Sequence, residues 1–112
     1  MTKPEDAASV HSGHRQRLKD QFLTHGMDPI HDVNVLELIL FYAIPRQDTN
    51  PIAHRLLSTF GSLAAVFDAT PEELMERGGL SKNAATLIKL IPAAARRQQL
   101  SRSSCHQLLD ST

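Results

Sequence analysis

The sequence predicts an all-α fold, a compact bundle of five to six helices, on three observations. Its hydrophobic residues are 41% of 112 and are dominated by Leu, Ala and Ile, while aromatics reach only 4% and tryptophan is absent. That composition suits helices better than a sandwich or barrel. Apolar residues also recur at three- and four-residue spacing, and Gly, Pro, Ser and Thr stand where helix stops and caps belong. The length is that of one ordinary domain with a single core.

Residues 1–12 mix Pro, Ser, Thr and charges without periodicity and are expected to form a flexible N-terminal arm. The helical domain is expected over 13–100. Its first helix runs from His14 to His25, with Leu18 and Phe22 on one face and Gly26 as its stop. Asp32 is placed to cap a second helix, whose apolar stretch Leu36–Ile44 is to be buried nearly all round before Pro45 ends it. Asn50 followed by Pro51 has the cap-then-proline arrangement of a third helix, with Ile52, Leu56, Leu57 and Phe60 as its stripe and Gly61 as its stop.

Ser62 caps a short fourth helix through Phe67. Thr70-Pro71-Glu72-Glu73 matches a capping box for a fifth, running to about Arg77. After Gly78-Gly79-Leu80, Ser81 caps a long last helix that points Ala84, Leu87, Ile88 and Ile91 one way. Pro92 lacks the amide that would bond Ile88, so a kink is expected there. Residues 101–112, with three serines before His106, read as the start of a linker.

The longest apolar run, Leu38–Ile44, is seven residues, against the roughly 20 needed to cross a bilayer. MTKPEDAASV has acids where a secretory signal has its basic end. No membrane association is expected, and the cytoplasm is the expected setting. Cys105 is the one cysteine and reads as a free thiol. Six histidines (His11, His14, His25, His31, His54 and His106) show no metal-ligand spacing, and no cofactor is required.

Formal net charge is zero, which counts against a simple electrostatic binder of nucleic acid. The charges are nevertheless polarised. Ser81–Gln107 carries Lys82, Lys89, Arg96, Arg97 and Arg102 and no acid, whereas Asp28–Glu37 carries three acids and no Lys or Arg.

The turn Gly79-Leu80-Ser81 is the candidate site. Glycine lets the backbone approach a ligand closely, and a helix N-terminus directs unpaired amides and partial positive charge at an anion. Leu80 is to plug into the core, with the Gly79 amide and the first amides of the next helix facing outward and Lys82 adding a charge. Ser81 stands where a second glycine is usual in such turns, and its hydroxyl can cap the helix or donate to a phosphate. The same residues also suit a plain helix stop followed by a plain cap.

Leu56–Leu74 resembles the connection between two hairpins in tandem helix-hairpin-helix domains. More specifically, GHRQRLKDQF, LELILFYAIPRQDTNPIAHRLL, FGSLAAVFDA and KNAATLIKLIPAAARR together resemble the N-terminal domain of RadC-like (UPF0758) proteins, from about Gly13 to Arg97. The resemblance implies a tandem helix-hairpin-helix-like unit, with Ile44–Leu57 as a first, glycine-free hairpin and Leu74–Ile88 as the second. It implies a DNA-binding accessory role, and a JAB-type metalloprotease-like domain that follows in the family and is not in these 112 residues, so no metal-hydrolase chemistry is assigned.

The expected DNA contacts are Gly79, Leu80, Ser81, Lys82, Arg15, Arg17 and Arg46, with His11, His14 and Lys19 in a basic first helix. Arg46 with Asp48 makes an active-site pair or, more simply, a local turn contact. Arg96 and Arg97 either touch flanking phosphates or offset the negative end of the last helix. An alternative, favoured by zero net charge, is a protein-docking module that uses Leu36–Ile44.

Overall fold

The computed structural model describes the backbone of residues 4–110 and the side chains of residues 13–104. The expected roles of His11, Cys105 and His106 therefore fall on side chains outside the described residues.

Six helices follow in order: α1 Pro4–His25, α2 Asp32–Ala43, α3 Asn50–Phe60, α4 Leu63–Asp68, α5 Pro71–Glu76 and α6 Lys82–Asp110. Among the described residues there is no strand, and no helix is long and apolar enough to cross a membrane. Two helix–turn–helix pairs, α2–α3 and α5–α6, are joined through α4. α2 is the hub, packed by α1, α3 and α6, while α6 also covers α4 and α5.

The hub position follows from the α2 sequence. Val35, Leu36, Leu38, Ile39, Leu40 and Phe41 are all buried, as the unbroken apolar run requires. Leu36, Leu40, Leu56, Leu74 and Ile88 have no exposure at all, each contributing about 2 kcal/mol of burial. Ala84 and Ala85, also buried, let α6 approach the hub closely.

Several caps fall where expected. Ser62 Oγ accepts from the Ala65 amide at 3.1 Å. Thr70 and Glu73 form a reciprocal capping box at 3.1 Å each way. Gly26 (φ +78°) and Gly61 (φ +97°) end α1 and α3 in the left-handed conformation that favours glycine. The Thr70 amide, then its hydroxyl, then Arg77 hold the Glu73 carboxyl below its ordinary pKa. A depressed carboxyl pKa supports the folded state at neutral pH and loses that effect as acid titrates the group.

Other boundaries differ from expectation. α1 begins at Pro4 rather than His14, and proline suits the first position of a helix. α6 continues as helix through Pro92 and past residue 100 to Asp110, where Ala and Arg sustain a helix without burial. Asp32 does not cap α2. His31 holds the cap position, with no side-chain bond, and Asp32 lies in the first turn.

Asn50 does not cap α3 either. Thr49 occupies that position, 1% exposed, with its hydroxyl turned to the Glu37 carbonyl at 3.3 Å. The Asn50 amide donates to Asp48 Oδ1 at 3.1 Å, so Asp48 closes a local turn, and no ion pair to Arg46 exists among the described residues.

Besides the buried Leu18, polar contacts hold α1 to the hub. Arg15 donates to the Phe41 carbonyl at 3.4 Å, to the Ile44 carbonyl at 3.0 Å and to the Gln47 carbonyl. Its guanidinium also lies 4.7 Å from the Phe41 ring centroid. Phe41 is in the last turn of α2 and Ile44 is its C-cap, so Arg15 caps that helix from outside and also ties down the turn at Gln47. Arg15→Ala is expected to cost about 2 kcal/mol, the weight of charged hydrogen bonds. Urea denaturation tests this, and an unchanged midpoint would refute it.

Candidate functional site

Gly79 sits at φ +71° on an exposed turn, Leu80 beside it is 6% exposed within the core, and Ser81 is exposed again. Alternation of this kind anchors the turn while leaving its amides at the surface. The Leu80 amide donates to the Leu74 carbonyl at 3.1 Å, and the Gly78 amide to the Glu73 carbonyl at 3.2 Å. Ser81 Oγ accepts from the Ala84 amide at 3.2 Å, so its hydroxyl oxygen is the α6 cap and its proton is free to donate. The amides of Gly79, Ser81, Lys82 and Asn83 have no acceptor among the described residues.

Arg55, not anticipated from the sequence, completes this turn. Its Nε donates to the Gly78 carbonyl at 3.2 Å. A Cβ on Gly79 would lie 3.1 Å from one terminal guanidinium nitrogen, so the guanidinium runs alongside the open glycine.

Arg46 joins the same place. Ile44, Pro45, Arg46 and Gln47 from the α2–α3 turn and Gly79, Leu80 and Ser81 from the α5–α6 turn line one cleft of about 690 Å³, with Arg55 between them. The two turns thus share a wall, and Arg46 is exposed on it.

The other expected contacts lie elsewhere. Arg15 is engaged behind the first turn by the carbonyls described above, which makes it a brace for Ile44–Gln47. Arg17 is exposed in a separate depression with His14, Gln21 and Asn34. Lys19 lies 5.2 Å from the Tyr42 ring centroid. Lys89 donates to the Phe67 carbonyl at 2.6 Å and caps α4. The described residues contain no group of three or more metal-binding side chains.

A buried carboxylate was also missed. Glu37 has no exposure, and its oxygens accept from Asn34 Nδ2 at 2.7 Å and meet His14 Nε2 at 3.0 Å. His14 is therefore a partner of the core rather than part of a basic arm, and its ring also meets Phe41 edge-on at 6.2 Å. Among the described residues no buried side-chain polar atom lacks a partner. An acid inside an otherwise apolar run was the available signal, since such a residue is tolerated only when paired.

Fold and cleft together define an all-helical domain with two helix turns converging on a cationic cleft. The chain is 46% identical over 79 residues to a UPF0758 protein of Fusobacterium nucleatum, an alignment covering 70% of this chain and 34% of the relative. It is 40% identical over 98 residues to a UPF0758 protein of Ruegeria pomeroyi (88% and 44%) and 43% identical over 100 residues to one of Rhodobacter capsulatus (83% and 47%). The chain belongs to the UPF0758, or RadC-like, family. It spans between 34% and 47% of the length of these curated relatives. No family model and no solved structure matches the chain.

Proposed function

We propose that this chain is a DNA-binding accessory domain that grips the phosphate backbone, without reading sequence, through the helix-hairpin-helix turn Gly79–Lys82. The observation that supports this most directly is the set of four open amides at that turn, with Arg46 and Arg55 on the cleft that Gly79, Leu80 and Ser81 line and Lys82 exposed next in the chain. Backbone amides at a helix N-terminus suit a phosphate oxygen, and guanidinium groups add bidentate donors. The open amides at the turn suit phosphate oxygens, which carry no sequence information, so affinity is expected to come from the backbone.

Titration of labelled duplex and single-stranded DNA at several salt concentrations tests the reading. Binding of the order of 10⁻⁴ to 10⁻⁶ M is expected at physiological salt, falling steeply as salt rises. Lys82→Glu and Gly79→Asp are each expected to weaken it at least about tenfold, by repulsion of the phosphate and, at the glycine, by pairing of the introduced carboxylate with Arg55. Affinity indifferent to salt, or variants that bind as the parent does, would sink the reading.

One observation favours a second reading, a docking module for a JAB-type domain. An apolar groove of about 330 Å³ lies between α1, α2 and α6, and Phe22, Leu23, Met27 and Tyr42 on it are exposed by 38%, 78%, 38% and 67%. Exposed apolar surface of this kind marks contact sites. The Leu36–Ile44 segment offered for docking is mostly core, and only Leu38, Ile39 and Tyr42 reach the groove. On this reading Tyr42→Asp, not Lys82→Glu, disables the domain.

A further inference from the structure

The cleft between the two turns is larger and less polar than a phosphate requires. It holds about 690 Å³, and Ala43, Ile44, Ile52 and Leu80 make its floor. Leu80 belongs to the core, and the other three are half-buried side chains packed against it. The floor is thus an edge of the hydrophobic interior left open to solvent. Beside it stand two exposed cations, Arg46 after α2 and Arg55 on α3, and the open amides of Gly79 and Ser81.

Donors and cations on a wall suit an anion, but an apolar floor gives an anion nothing. Concave sites of roughly 300 to 1,000 Å³, lined mostly by carbon and carrying a few placed donors, suit ligands that pair an apolar body with a polar group. An intact duplex offers this cleft only sugar and phosphate, because its bases are stacked inside. A nucleotide whose base has left the stack offers a phosphate and the face of a ring together. Arg55 is already oriented for both. Its Nε is tied to the Gly78 carbonyl at 3.2 Å, and a terminal nitrogen lies 3.1 Å from where Gly79 would carry a Cβ. A guanidinium held in this way meets a phosphate with its edge and a base with its face.

We propose that the cleft takes one unpaired base of DNA, with the ring on the floor of Ala43, Ile44, Ile52 and Leu80 and the phosphate at the Gly79–Lys82 turn. The inference rests on the DNA reading above and narrows it from phosphate backbone in general to backbone that carries a base out of its stack.

The test uses the full chain and short labelled duplexes of one sequence, one with an extra unpaired adenosine and one with an extra abasic nucleotide at the same place. The two carry the same phosphates and differ in the base alone. By fluorescence anisotropy the adenosine duplex is expected to bind about tenfold tighter, the weight of one base held on a protein surface. Ile52→Gln, with a circular dichroism spectrum matching the parent, is expected to bring the two affinities together. A second measurement needs no variant: 2-aminopurine in place of the adenosine brightens as the parent chain binds, because it leaves its stacked neighbours for a cleft with no aromatic lining. Equal affinity for the two duplexes, with Gly79→Asp still weakening both, overturns the proposal and leaves the hairpin reading standing. Displacement of the adenosine duplex by an equal concentration of free deoxyadenosine monophosphate assigns the cleft to a free nucleotide and overturns it as well. Absence of DNA binding by the parent itself overturns both readings.

Discussion

Gly78→Ala is expected to lower the melting temperature by about 10 °C and, on the proposed DNA-binding function, to weaken DNA binding together with it. Gly78 is buried, and a Cβ there would lie 2.5 Å from the Leu74 carbonyl oxygen and 2.9 Å from Leu56 Cδ2. The first neighbour is backbone and already holds the Leu80 amide at 3.1 Å, so it cannot yield without moving the turn. Overpacking against a fixed neighbour costs about 3 kcal/mol, which for a chain of this size is a shift of about 10 °C.

Gly79→Ala makes the contrast. There the obstacle is the left-handed backbone and the movable end of Arg55 at 3.1 Å, so the cost is about 1 kcal/mol. Thermal melts followed by circular dichroism separate the two, and equal melting temperatures would show that the packing at Gly78 has been misread.

His14→Ala is expected to cost about 3 kcal/mol, because it strands Glu37 in the interior with Asn34 as its only side-chain partner. Glu37→Gln, which keeps the shape and both hydrogen-bonding positions, is expected to cost about 1 kcal/mol. The order is unusual: the residue with the partly exposed side chain, His14 at 44%, matters more than a change at the fully buried one. Guanidinium denaturation of both variants gives the comparison, and a smaller loss for His14→Ala than for Glu37→Gln would overturn it.

The sequence made the six-helix order legible because the signals involved are local. Gly26, Gly61 and Gly79 announce left-handed turns, Ser62, Thr70 and Ser81 announce caps, and the run Leu36–Ile44 announces the hub. Where two local signals competed, tertiary contacts decided. Asn50 has the better cap chemistry, yet Thr49 holds the position because its hydroxyl reaches across to α2.

The glycine turn of the candidate site was equally legible, since backbone conformation leaves its mark on residue type. The cationic wall was not. Arg55 follows Ile52 on α3 in an ordinary amphipathic pattern, and only the approach of α3 to the α5–α6 turn brings it to Gly78. Arg15 was legible as a cation, but whether a cation faces solvent or a row of carbonyls depends on where α1 crosses α2. The full reach of α6 was also hidden, because serines after residue 100 read as a linker while the preceding alanines and arginines carry the helix onward.

Leu80 lies between two exposed residues and is itself a member of the core with Leu74, Ala84 and Ile88. The depth to which that one side chain sinks therefore sets the height at which the neighbouring amides stand above the surface. The height of those amides and the solidity of the interior are then not independent properties that can be adjusted at separate positions. Repacking the space beneath Leu80 is therefore a way to move the turn without altering a single residue on its surface.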